Sequence, residues 1–253
     1  MTIYHYTSLD TLSLILKNKT IRFNRLDRVD DPEEASYGSG SINTKLGRYI
    51  FVSCWTKAPE ENERLWDMYT HNKGVRIGMD EDMFVHPQMR KIGPYSKVPI
   101  TLTKDFFTFD LDRPIVLYDV IYVDDMKERV KNYITEEGKY LKCIIKDLGL
   151  YKSTQWNYQN ESRFKIVVYP IQYSPSDRTN NYRVDLYNYL FSLLKAIKEN
   201  KPLKTPYIDY PLNPDKLNLI EVMMGPQTSE QDRRKVEELL KDYPQSTILQ
   251  SNL

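Results

Sequence analysis

Cysteine, histidine and glycine are scarce in this chain, and no long apolar run occurs. Two cysteines, Cys54 and Cys143, and three histidines among 253 residues form no CxxC pair and no cluster at zinc spacing. That excludes a disulfide scaffold and a structural zinc, and thiols kept reduced fit a cytoplasmic setting. No stretch reaches the roughly 18 consecutive apolar residues of a membrane-spanning helix. Met1-Thr2-Ile3-Tyr4-His5-Tyr6 has neither the basic nor the apolar region of a secretion signal, so no membrane segment and no export are expected. An excess of one charge is also missing. With 36 basic and 35 acidic residues the net charge is +1, which lowers, without excluding, the reading of a nucleic-acid partner. There is no GxGxxG, no GxxxxGK[ST] and no GxSxG, which argues against Rossmann, P-loop and hydrolase-elbow chemistry.

What is present is a folding composition: 40% hydrophobic and 28% charged, with 20 tyrosines and 8 phenylalanines. Tyrosine offers flat, rigid contact area with a hydroxyl and suits a pocket for a planar ligand, although most of the twenty are expected to fill the core. Ile3 to Tyr6 reads as a strand. Thr7 or Ser8 caps a helix carrying Leu9, Leu12, Ile15 and Leu16, and Ile21 to Phe23 resumes as a strand. Residues 24–47 read as a polar loop over a site, Tyr49 to Trp55 as a strand, about Glu60 to Tyr69 as a helix and Val75 to Met79 as a strand. Further on, the pattern predicts a loop over 85–112, a strand from Ile115 to Val123 and a helical block over about 125–148. A strand from Tyr158 to Tyr169, a helix from Asp185 to Asn200 and a proline-rich loop over 201–216 follow. Leu219 to Met224 is the last expected strand, and Thr228 with Gln231 forms a capping-box pattern for a final helix over 229–242. The irregular mixture, without repeats or a linker, predicts a single α+β domain over 1–253 with mixed or antiparallel sheets. Its parts are an N-terminal motif region 1–80, a helical insertion at about 125–150, a catalytic-strand region 156–170 and a C-terminal strand-helix unit 217–242.

Three motifs carry candidate chemistry. In Tyr4-His5-Tyr6-Thr7 a histidine lies on a strand just before a helix start, where it can donate to a ribose hydroxyl or simply satisfy a core hydrogen bond. Ser53 near the end of a strand can hydrogen-bond a ligand, and Trp66 and Tyr69, three apart on one helix, form either a stacking wall or core. Cys54 has no local partner that would activate it as a nucleophile. The sharpest motif is Trp156-Asn157-Tyr158-Gln159-Asn160-Glu161-Ser162-Arg163-Phe164. Strand alternation puts Gln159, Glu161 and Arg163 on one face. A carboxylate there can stabilise an oxocarbenium-like centre. Equally, Glu161 and Arg163 can be a solvated surface pair. The acidic residues Asp27, Asp30, Asp31, Glu33 and Glu34 lack calcium-loop spacing.

Taken in order, Tyr4-His5-Tyr6-Thr7-Ser8, Ile21-Arg22-Phe23, Asp31-Pro32-Glu33, Val52-Ser53-Cys54-Trp55, Leu65-Trp66-Asp67-Met68-Tyr69, Lys73-Gly74-Val75, Trp156 to Arg163 and Glu221 to Gly225 resemble the bacterial family called domain of unknown function 2971. The opening Tyr-His-x-Thr is also similar, more distantly, to the first motif of diphtheria-toxin-like and DarT-like ADP-ribosyltransferases. That resemblance implies an ADP-ribosyltransferase-like core with NAD as the substrate and no metal. It assigns His5, with Tyr6 and Thr7, to the adenosine ribose, Ser53 to the second motif, and Tyr69 or Trp66 to stacking on nicotinamide. Glu161 becomes the catalytic glutamate and Gln159 the residue that orients the nucleophile, with Arg163 beside them on the NAD site. The acceptor is then a protein, a nucleic acid or water, in a bacterial toxin or antiviral effector. Two other classes compete: a non-catalytic ligand- or partner-binding module, and a nuclease holding a metal on the acidic loop 27–34.

Overall fold

The computed structural model describes residues 1–35, 46–85, 100–101, 106–108, 115–131, 133–137, 140–143, 147–170, 199 and 203–253. Its strands, in chain order, are β1 (Thr2–Thr7), β2 (Thr20–Arg25), β3 (Ile50–Thr56), β4 (Val75–Asp80), β5 (Ile100–Thr101), β6 (Phe106–Thr108), β7 (Leu117–Asp119), β8 (Ile121–Val123), β9 (Ile134–Glu137), β10 (Tyr140–Cys143), β11 (Tyr151–Ser153), β12 (Glu161–Val167), β13 (Tyr169–Pro170), β14 (Tyr207–Pro211), β15 (Glu221–Met224) and β16 (Thr247–Gln250). The described helices are short: α1 (Leu9–Asn18), α2 (Glu63–Thr70), α3 (Met126–Val130), Pro214–Leu217 and Glu230–Leu239. Together they form a mixed α+β fold around a nine-stranded sheet, ordered β14-β2-β3-β1-β4-β15-β16, with β12 and then β7 beside β3. Its pairings are antiparallel except β15 with β16.

The feature that positions the site is a fork in this sheet. β12 pairs with β3 along its whole length, from Glu161 opposite Thr56 to Val167 opposite Ile50. The other edge of β3 is shared. β2 pairs there at Phe51 and Val52, whereas β1 pairs at Thr56. Between them β1 and β2 splay apart, joined by α1. This first unit forms where its sequence calls for it. Ser8 caps α1 by accepting from the Thr11 amide, Leu12, Ile15 and Leu16 bury one helical stripe, and Lys19 ends the helix in the left-handed region at φ 54°. β1 is also locked to β4 from Thr2 opposite Asp80 to Thr7 opposite Val75. Gly74, just before β4, allows this approach, since a Cβ there would stand 2.3 Å from the Thr7 carbonyl oxygen.

Several elements differ from the sequence expectation. Among the described residues of the expected helical block over 125–148, only the five-residue α3 is helical, and β9 and β10 pair antiparallel. Val130 and Tyr133 do sit at helical spacing, but Ile134-Thr135 and Tyr140 to Cys143 favour and find strand pairing. Ile115 to Val123 is not one strand: β7 joins the main sheet, and β8 runs parallel to β11 in a separate one. The loop expected over 85–112 contains β5 and β6, whose Phe106 is fully buried. The described part of residues 24–47 includes three short 3-10 turns and buries Asp31 and Glu34, while Arg28, Val29 and Asp30 lie over the site described below. The strand expected from Tyr158 begins at Glu161, because 154–159 form a 3-10 turn and Asn160 takes φ 43°. The proline-rich stretch 201–216 supplies the sheet edge β14. Ser229 with Asp232, one residue beyond Thr228 with Gln231, makes the capping box of the last long helix. The helix expected over 185–200 lies, apart from residue 199, outside the described residues.

Candidate functional site

The fork holds a cavity of about 540 Å³, well within the size range of small-molecule sites. Of the residues singled out from sequence, His5, Tyr6, Thr7, Ser53, Tyr69, Gln159, Glu161 and Arg163 all border it, and Trp66 does not. They come from β1, β3, α2, the 154–159 turn and β12, so the fold gathers positions spread over most of the chain.

His5 lies inside the fork, where its Nδ1 is 2.8 Å from the Cys54 carbonyl oxygen. A carbonyl oxygen only accepts, so Nδ1 carries the proton. Burial lowers the ring's pKa below its ordinary 6.5, against the opposing hydrogen bond to Cys54. The ring is therefore neutral at pH 7, and Nε2 is an acceptor. Sequence reasoning expected His5 to donate to a ligand hydroxyl. The geometry reverses that polarity, and a hydroxyl must donate to Nε2. Next to it, Tyr6 packs edge-on against Trp66 and its hydroxyl accepts from the Asn62 amide.

Ser53 Oγ accepts from the Trp55 indole at 2.9 Å. Cys54 is partly buried. Its thiol pKa is pushed well up, first by burial and then by the neighbouring Glu161 charge. His5 engages the Cys54 carbonyl and not its sulfur, so His5 and Cys54 do not form a nucleophilic pair.

The two α2 aromatics separate. Trp66 is fully buried with Tyr6, Leu65 and Met223, and its indole donates to Glu61 at 2.9 Å. It is core, not a stacking wall, because the packed face of α2 holds Leu65, Trp66 and Thr70. Tyr69, 38% exposed, stands at the cavity. Its hydroxyl donates to Asp30 and accepts from Gln159 Nε2 at 2.8 Å. Burial and the Asp30 contact both raise the phenol's pKa, so the proton stays on Tyr69. Gln159 reaches the cavity from the 3-10 turn, not from the strand.

Glu161 and Arg163 do share a face of β12, and both are buried, so of the two alternatives left open by the sequence the solvated surface pair falls away. Glu161 accepts from Arg163 Nε at one oxygen, and at the other from Arg163 Nη2 and Lys152 Nζ, each at 3.0 Å. Arg163 also donates to Glu34 and, at 2.9 Å, to the Gly149 carbonyl. Lys152 stands 3.2 Å from Glu34. Burial alone would raise the Glu161 pKa, but the charges of Arg163 and Lys152 overcome it and hold the carboxyl down at about 2. Lys152 is correspondingly raised despite its burial. Arg163 thus donates to Glu161, Glu34 and Gly149 and holds Glu161 in place at the cavity wall.

Sequence reasoning did not single out Lys152 or Arg28, quoted Arg22 only within a family motif, and considered Glu34 and Asp30 only as members of an acidic metal loop; the cavity rim holds Arg22, Arg28 and Asp30. Arg22 is bidentate to Asp209. Arg28 is exposed on the cavity wall and has no ion-pair partner among the described residues. The acidic residues of 27–34 do not converge. Asp27 pairs with Arg25, Asp30 takes the Tyr69 hydroxyl, Asp31 accepts from the Glu33 amide, and Glu34 meets Arg163 and Lys152. Among the described residues no group of three or more His, Cys, Asp or Glu is placed to hold a metal, and none of their helices is long and apolar enough to cross a membrane. No family model matches the chain, and no curated protein or solved structure is found similar to it.

Proposed function

We propose that the fork cavity binds NAD as a substrate and that the protein transfers ADP-ribose from it to a protein, a nucleic acid or water, on an ADP-ribosyltransferase-like core of the domain of unknown function 2971 type. One observation carries this reading: His5 and Glu161, 156 positions apart, line one cavity together with Ser53, Tyr69 and Gln159. A dinucleotide asks for hydroxyl acceptors, a flat aromatic surface, a cation for its pyrophosphate and a carboxylate at the reacting ribose. His5 Nε2, Tyr69, Arg28 and Glu161 supply these in turn. In the chemical step the bond between the ribose anomeric carbon and the nicotinamide nitrogen breaks, and its electron pair leaves with nicotinamide. Positive charge grows at the anomeric carbon, and ionised Glu161 stabilises it. An acceptor oxygen or nitrogen then adds to that carbon and gives up its proton.

The test is incubation of the purified protein with NAD labelled on the adenosine moiety and with cell lysate. Free nicotinamide and label in macromolecules support transfer, free nicotinamide with labelled ADP-ribose alone supports hydrolysis, and unchanged NAD rejects both. A second reading, a non-catalytic binding module, draws on the same carboxylate: Glu161 is only 7% exposed and both of its oxygens are already engaged. On that reading NAD or ADP-ribose raises the melting temperature and no nicotinamide forms.

A further inference from the structure

Four buried charges close a ring of alternating sign behind the cavity. Glu34 meets Lys152, Lys152 meets Glu161, Glu161 meets Arg163, and Arg163 returns to Glu34. Their side chains are 0%, 3%, 6% and 0% exposed in that order. Glu161, Arg163 and Lys152 border the cavity, and Glu34 does not. Glu34 arrives from the 3-10 turn Pro32–Ala35, which is held from behind by the Asp31 side chain accepting from the Glu33 amide.

We propose that Glu34 is a positioning residue for the reaction assigned above, acting through Lys152 and Arg163 to keep the charge of Glu161 available to the cavity. The inference rests on that NAD reading. Without Glu34, two cations press on one carboxylate, and the buried group carries a net positive charge beside the centre where positive charge must develop. With Glu34, each cation is divided between two carboxylates and the ring sums to zero, so the carboxylate nearest the cavity dominates the local field. Glu34 also sets the ring's geometry. Arg163 offers Nε and Nη2 to Glu161 and Nη1 to Glu34, so the guanidinium is held at both ends and cannot rotate away from Glu161. The sequence places this second carboxylate in the acidic stretch that a metal-site reading would claim. Its cationic partners give it the opposite role.

The experiment is a charge-balance cycle, read as nicotinamide release from NAD by wild type, Glu34→Gln, Lys152→Met and the double variant. Glu34→Gln is expected to lower kcat by about 100-fold, the scale of losing one preorganised electrostatic contact, with KM for NAD within about threefold. The double variant removes one anion and one cation, returns the group to neutrality, and is expected to recover at least about tenfold of that loss. A purely structural role predicts the reverse, two lesions that add. If Glu34→Gln does not fold, the neutral double variant decides: folded and active supports the proposal, unfolded or inactive overturns it. A Glu34→Gln kcat within threefold of wild type, or a double variant no better than Glu34→Gln, overturns the role of Glu34 and leaves the NAD reading standing. Wild type that releases no nicotinamide removes both.

Discussion

Replacing Arg163 by methionine tests the buried charge ring from the side of stability. Methionine keeps apolar bulk in a site that is fully buried and removes the guanidinium that both Glu161 and Glu34 contact. Two buried carboxylates are then left to share Lys152. Breaking a buried pair by removing one partner costs about 3–5 kcal/mol. The acid–base balance gives the same scale. Holding Glu161 at about 2 instead of its ordinary 4.5 stabilises the native state at neutral pH by about 3 kcal/mol, at ~1.4 kcal/mol per tenfold change in proton affinity. For a chain of this length, about 2–4 °C per kcal/mol turns the loss into a drop in Tm of about 6–20 °C. The pH dependence carries the sharper signature. In the wild type the folded carboxyl lies below its unfolded value, so this stability is present above pH 4.5 and is lost as pH falls from 4.5 toward 2. In Arg163→Met burial dominates and the carboxyl moves above 4.5. The folded variant then holds a proton that the unfolded chain releases, and it gains stability as pH falls toward 4.5. Urea denaturation followed by tryptophan fluorescence at pH 7, 6 and 5 should therefore show a gap widest at pH 7 and narrowing with acid. A variant within about 1 kcal/mol of wild type at pH 7, which is less than one broken buried pair, or a gap constant over that range, refutes the reasoning.

Three further outcomes follow from the geometry. His5 should titrate below 6.5 with its neutral-form proton on Nδ1, as read by long-range proton–nitrogen NMR spectra. Because the unfolded ring binds a proton near 6.5 and the folded ring resists it, stability should fall as pH drops below 6.5; a ring half-protonated at 6.5 contradicts this. Trp66→Ala should cost about 3–5 kcal/mol, as for large buried aromatics, with KM for NAD unmoved once the variant is compared at a temperature where it is folded; a raised KM with little loss of Tm would return Trp66 to the ligand. Gly74→Ala should destabilise by about 1–3 kcal/mol, since its Cβ would press on the Thr7 carbonyl at the end of the β1–β4 pairing; chemical denaturation indistinguishable from wild type contradicts that contact.

Local signals carried the sequence reading as far as they reach. The Ser8 cap with the Leu12, Ile15 and Leu16 stripe placed α1, and the β-branched and aromatic run from Phe164 to Val168 placed most of β12. The spacing of two between Glu161 and Arg163 correctly put them on one face, but spacing has no means of saying whether that face is wet or buried. Trp66 and Tyr69 show the same limit: three residues apart on a helix, both patterns fit a wall, and only the packing of Trp66 onto Tyr6 and Met223 separates them. Over 125–148 the apolar residues satisfy helical and strand periods alike, and the choice is made by β9 finding β10. Glu34 and Arg163 were out of reach altogether, being 129 residues apart with nothing local to mark either as the other's partner.

The central claim, that ionised Glu161 in the fork drives loss of nicotinamide from NAD, is tested most directly by comparing nicotinamide release by wild type and Glu161→Gln, which removes the charge and keeps the shape. The account predicts measurable release by wild type and a loss of about 10²–10³ in the variant, with NAD still raising the variant's Tm. Equal release by both proteins would contradict it.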